Sequence, residues 1–184
     1  VTYFFNGGKE ETFSGEDRQV IQSPKVDSYA DKPEMSADEI KEFILEKIDK
    51  DAYDFILVNF ANADMVGHTG DTKATIKAIE ILDHCLGDIS EAILDKNGIL
   101  LVTADHGNAE EVVNQQTGEI DKEHSTSPVP FLIIGKSFRH SDPGDNPIDL
   151  SLLTPSGVLA DVAPTILKLM QIDIPPAMTG RSLV

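Results

Sequence analysis

One cysteine, Cys85, is all the thiol this sequence offers, which excludes an intrachain disulfide framework and fits a reducing cytosol. No run of eighteen apolar residues occurs, so no membrane span is expected. Nor does a basic, apolar leader with a small-residue cleavage site open the chain, so no secretory signal is expected. Together these absences favour a cytoplasmic protein. Positive charge is also scarce: 15 lysines and arginines face 32 aspartates and glutamates, a formal net charge of -17. Such a field excludes nucleic acid and anionic membrane as partners, because both are bound through Lys/Arg patches that release counterions. It repels phosphate esters at long range too. The only arginines, Arg18, Arg139 and Arg181, are scattered. A phosphorylated substrate would therefore need metal ions, or arginines from elsewhere.

What remains is a chain that should fold. Its 184 residues, 40% of them hydrophobic, are enough for one domain with a substantial core. The opening Val1 to Phe5 reads as a strand, and a chain that starts inside a strand suggests processing or a piece of a longer protein. Residues 9–35 read as loop. Ser36 and Glu39 form a capping-box pattern, and Ile40, Phe43, Ile44 and Ile48 give a helix face to about Lys50. Asp54 to Phe60 is a short apolar run of the kind found in strands buried on both faces. Gly70 to Lys96 predicts a long helix with the stripe Ile79, Leu82, Leu86, Ile89 and Ile93, stopped by Asn97-Gly98. Gly98–Ala104 and Val129–Ile134 predict two more strands. A polar segment with Pro143, Gly144 and Pro147 follows, then a helix from about Asp161 to Met170 with Pro164 in its first turn. Strand, long helix, strand is a βαβ unit, which argues an α/β protein with a mostly parallel sheet. No internal repeat or domain boundary is visible.

In open α/β sheets, ligands gather beyond the carboxyl ends of the strands. Asp64 and His68 follow the first apolar run, Asp105 and His106 follow the second strand, and His124 lies just before the third. Asp64 and His68, four residues apart, share one side of a helical turn and can hold one ion. Asp105 and His106 converge only if the chain turns at Gly107. Mixed imidazole and carboxylate donors suit manganese or zinc rather than calcium or magnesium. Any one of these pairs alone is more often a surface ion pair or a cap; three groups at one predicted sheet edge reverse that weighting. His84, inside the long helix, and His140, in a polar loop, read as surface residues. Cys85 reads as a packed thiol, and Glu10, Glu11 and Glu16 as a solvated acidic stretch. Ser125 and Thr126, beside His124, show no activating base and are not nominated as nucleophiles.

The segments VTYFFNGG, GEDRQVIQSPKVDSY, PEMSADEI, NFANADMVGHTG, TADHGNAEE, HSTSPVPF, GVLADVAPTIL and MTGRSL resemble, in order and along the whole chain, the cofactor-independent phosphoglycerate mutase family. The ADHG piece alone would indicate only the wider alkaline phosphatase superfamily. The resemblance implies that Asp64, His68 and His124 bind one metal ion and that Asp105 and His106 bind a second. The ions are usually manganese, with no bisphosphoglycerate cofactor. It implies interconversion of 3-phosphoglycerate and 2-phosphoglycerate through a phosphoserine. It implies a three-layer α/β/α sandwich of the alkaline-phosphatase type, incomplete here, with residues 1–184 as the C-terminal portion of the metal-binding domain. The family's nucleophilic serine, a further metal-binding aspartate, its catalytic lysine and most substrate arginines lie outside the positions matched here. No catalytic or substrate-binding residue is therefore assigned, and the isolated chain is expected to be inactive. Ser125 and Ser127 stand where the family often has Thr and Asn. The parent protein is expected to be a monomer, whereas exposed strand edges favour self-association of this piece. Two other readings are a phosphopentomutase or phosphatase of the same superfamily, and a stand-alone metal-binding module.

Overall fold

The structure, a computed structural model, describes residues 2–114, 117–138 and 153–184. Its elements run α1 (Thr2–Phe5), α2 (Ala37–Asp49), α3 (Asn62–Gly67), α4 (Thr72–Asp95), β1 (Leu100–Thr103), β2 (Phe131–Ile134) and α5 (Val162–Leu169), linked by short 3-10 turns. The expectations for Arg139, His140, Pro143, Gly144 and Pro147 lie outside the described residues. No described helix is long and apolar enough to cross a membrane.

The helices form much as their patterns require. Asp71 caps α4 by accepting from the Ala74 amide at 3.0 Å. The predicted stop at Asn97-Gly98 is a Schellman ending: Asn97 takes φ 58° and the Gly98 amide donates to Ile93 O at 2.8 Å. Helices α2 and α5 end by the same device, with Asp51 at φ 47° and Gln171 at φ 58°. The capping box at Ser36 does not form. Its hydroxyl donates instead to the Gln22 carbonyl at 2.8 Å, tying the preceding loop to the start of α2.

The buried face of α4 also differs from the expected stripe. Ala74, Ala78, Cys85 and Ile89 point inward, while Ile79 is exposed. Small side chains win this face because α3 packs directly on it: Val66 of α3 is buried in one cluster with Met35, Ala74 and Ala78. A second cluster joins Ile44 and Ile48 of α2 to Ile89 of α4, and partly buries Ile56, Val58, Phe60 and Leu100.

Three strand expectations need correction. The opening segment is a single helical turn, closed by bonds from the Gly7 and Gly8 amides to Phe4 O and Tyr3 O. It joins no ladder among the described residues, and its backbone satisfies itself locally. Residues 54–60 belong to no helix and to no described ladder. They are buried on one face only: Ile56, Val58 and Phe60 turn to the helices, whereas Phe55 and Leu57 stay 39% and 41% exposed. Finally, the sheet is not a parallel βαβ pair. β1 and β2 run antiparallel, with Leu100 opposite Ile134 and Thr103 opposite Phe131. An antiparallel pair needs no crossover helix, so the connection from 104 to 130 is free to form loops. Those loops build the site.

Candidate metal centre

Three elements converge at one corner. α3 carries Asp64, and its C-cap is His68. The loop after β1 carries Asp105, His106 and Asn108. The chain returning toward β2 carries His124. α3 is anchored from below by Val66 and from its first turn by Asn62, whose amide donates to the carbonyls of Pro33 and Glu34 at 2.8 and 2.9 Å. One helical turn then brings the Asp64 carboxylate and the His68 ring to the same side, as the spacing predicts.

The resulting geometry is a near-equilateral triangle of donors. Asp64 Oδ1 lies 3.1 Å from His68 Nε2 and 3.2 Å from His124 Nε2, and the two imidazole nitrogens are 3.1 Å apart. Donors each about 2.1 Å from a common ion would span edges of this size. His68 Nδ1 lies 2.5 Å from the Lys122 carbonyl, which can only accept, so that nitrogen carries the proton. In the neutral ring Nε2 is then a lone pair turned toward the carboxylate. A lone pair facing an anionic oxygen is favourable only with a cation or proton between them. The donor set therefore fits a divalent ion of borderline softness.

His106 stacks on His124, with ring centroids 3.7 Å apart and planes at 21°. The Asp105 carboxylate stands 3.7 Å from His106 Nε2, with 89% of its side chain exposed. The structure thus gathers Asp64, His68, His124 and His106, with Asp105 at the rim. Exposed His84 lies outside the group on α4. Burial pushes the Cys85 thiol up, as a packed, unreactive thiol requires.

Two residues escaped the sequence reading. Asn108, only 5% exposed, donates its side-chain amide to Asp64 Oδ1 at 2.8 Å. Its approach depends on Gly67, where a Cβ would overlap the Asn108 amide. Glu110 accepts from the Asn108 backbone amide at 2.8 Å and from the Ser125 hydroxyl, which occupies Ser125 in structure rather than attack. Partial burial pushes the Glu110 carboxyl up, but the bonds from Ser125 and Asn108 outweigh it and hold it below the usual carboxylate range. The signal available in sequence was a polar run, His106-Gly107-Asn108 with Glu110, just after a strand.

The acidic stretch near the start is also more structured than expected. Arg18 bonds Glu16 at 2.5 Å and reaches the carbonyls of Glu10 and Glu11. Arg18, helped by the Phe13 amide and Asn6, pulls the Glu16 carboxyl down to about 2.

Comparison with known proteins gives the family of the chain. A family model described as Metalloenzyme superfamily matches residues 1–174. The chain is 52% identical over its whole length to the 2,3-bisphosphoglycerate-independent phosphoglycerate mutase of Chloroflexus aurantiacus, of which it covers 33%. It is 50% identical to the enzyme of that name from Thermomicrobium roseum, of which it covers 34%. Among solved structures, Leishmania mexicana phosphoglycerate mutase, crystallised at low cobalt concentration, matches with a TM-score of 0.80 and 32% identity. That match covers 98% of this chain and 34% of that one. The α/β fold is thus of the alkaline-phosphatase type found in that mutase, and the chain spans about a third of the relatives it matches.

Proposed function

Because the chain belongs to the metalloenzyme superfamily, we propose that it forms the metal-binding part of a 2,3-bisphosphoglycerate-independent phosphoglycerate mutase. The whole protein would interconvert 3-phosphoglycerate and 2-phosphoglycerate in the cytoplasm through a phosphoserine. Residues 1–184 are its C-terminal portion in this reading. The serine, the lysine and most substrate arginines belong to the other two thirds. The observation that carries the proposal is the donor triangle of Asp64, His68 and His124 with edges of 3.1 to 3.2 Å, found in a chain about half identical to mutases of that name.

Asp64, His68 and His124 hold one divalent ion in this reading, and His106 with Asp105 offers two donors to a second. Manganese suits the mixed nitrogen and oxygen donors. Bound divalent ions lower the pKa of an attacking hydroxyl and neutralise the oxygens of a transferring phosphoryl group. The protein's own work is orientation. The Lys122 carbonyl selects the His68 tautomer, Asn108 aims the Asp64 carboxylate, and His106 backs the His124 ring. The scarcity of arginine agrees with a part that grips cations and leaves substrate anions to other segments.

Two measurements test this. Calorimetric titration of the chain with Mn2+ is expected to show one appreciable site, since Asp105 and His106 alone underfill a second. Two tight sites would contradict it. Assay of the same chain with 3-phosphoglycerate and Mn2+ is expected to give no turnover, while the full-length gene product turns over without bisphosphoglycerate. A full-length product inert toward 3-phosphoglycerate overturns the proposed activity.

A further inference from the structure

His124 is the donor least supported by its own surroundings. It is exposed and sits on a stretch, residues 121–130, without helix or ladder strand, yet its Nε2 meets Asp64 and His68 within 3.2 Å. Something must fix that stretch against the loop after β1. The contacts that do so centre on one carboxylate. Glu110 reaches back over Gly107, one oxygen accepting from the Asn108 amide at 2.8 Å and the other from the Ser125 hydroxyl. Ser125 in turn donates its amide to Gly107 O at 2.9 Å, and its Oγ accepts from the Ser127 amide at 3.1 Å. Gly107 is required beneath this bridge, because a Cβ there would overlap both the Ser125 hydroxyl and the Glu110 carboxylate.

We infer that Glu110 is a positioning residue for the metal centre: through Ser125 it clamps the His124 stretch to the His106 loop and so holds the triangle's third donor in place. The inference rests on the reading of Asp64, His68 and His124 as ligands. Glu110 itself contacts no donor atom of the triangle. It acts through the neighbour of His124 on one side and the backbone of Asn108, the partner of Asp64, on the other. One carboxylate thus links two of the three ligands. Outer partners of this kind typically change metal affinity by about 10- to 100-fold.

The test is Mn2+ titration of the 184-residue chain as wild type, Glu110→Ala, Glu110→Gln, Ser125→Ala, His124→Ala and Asp64→Ala. The Co2+ absorption spectrum of each is recorded as a second readout. Glu110→Ala is expected to weaken Mn2+ binding by about 10- to 100-fold and to shift the Co2+ spectrum away from that of the wild type. Glu110→Gln, which keeps one acceptor oxygen, should fall between. Ser125→Ala should weaken binding in the same direction, and the Glu110→Ala/Ser125→Ala double variant should be no worse than the poorer single one. Ser125→Ala alone removes one hydroxyl, so it keeps the inference exposed even if Glu110→Ala does not fold. Wild-type affinity and spectrum in Glu110→Ala or Ser125→Ala, with binding lost in Asp64→Ala, overturn the clamp and leave the metal reading standing. Asp64→Ala and His124→Ala indistinguishable from wild type overturn the metal reading itself.

Discussion

Asp64 and Asp105 are both aspartates paired with a histidine at one corner of the fold, yet they are held very differently. Asp64 sits on a helix anchored by Val66 and Asn62, and Asn108 bonds its carboxylate at 2.8 Å. Asp105 stands at a loop turn with 89% of its side chain exposed and His106 no nearer than 3.7 Å. The lesson is that residue type sets which donors are offered, while packing sets which are ready. A donor already oriented loses little entropy on binding; a loose one must be ordered by the ion itself.

The sharpest way to break this comparison is to remove a held donor. Asp64→Ala or His124→Ala should abolish the Mn2+ isotherm, a larger loss than the roughly 100-fold ceiling for outer partners. Residual tight binding would mean that the triangle is not the site. Next comes the support of the held side. Asn108→Ala should weaken Mn2+ by about 10- to 100-fold while circular dichroism stays native. Below that, the packing under α3 can be thinned. Val66→Ala, at a fully buried position, should lower urea-unfolding stability by roughly 2 kcal/mol from lost methyls and a residual cavity. At the bottom of the scale, Asp105→Ala should leave the first isotherm unchanged, and a clear loss there would erase the distinction between the two aspartates.

A carboxylate outside the donor triangle extends the same contrast to pH. Asp161 is only 5% exposed and accepts from the amides of Arg181 and Val158 at 2.8 and 3.0 Å. Those bonds, that to Arg181 first, hold its carboxyl below the usual range. A lowered folded pKa gives stability that is fully present above about pH 4 and is lost as pH falls through the folded value. Thermal melts below pH 4 should therefore drop less steeply in Asp161→Asn than in wild type. An equal slope would show that Asp161 is not linked to folding.

Much of the corner was legible in the chain itself. The four-residue spacing of Asp64 and His68 is a property of one helical turn, and the Asn97-Gly98 stop is local backbone chemistry. Both need no knowledge of the rest of the fold. Asn108 and Glu110 were not legible, because each acts on a residue far away in sequence and gains meaning only once α3 and the His124 stretch are docked. Strands were misread for a related reason. The apolar content of residues 1–5 and 54–60 says that they can pair, but pairing needs a hydrogen-bonded partner, and they join no ladder among the described residues. Ser36 shows the converse: its hydroxyl had a local use in a capping box, and a tertiary acceptor, Gln22 O, outcompeted it.

The contact between His68 and the Lys122 carbonyl carries a consequence for how this corner can vary. A main-chain oxygen has no codon of its own, so no exchange of the residue at 122 can delete it. Drift in that position should be nearly silent, whatever its charge or bulk. Sensitivity passes instead to whatever routes the strand-like bridge around it. The Val113–Ile120 bridge and the Asp121 side chain that accepts from the Glu123 amide at 2.9 Å become the places where a change would be felt at the ring.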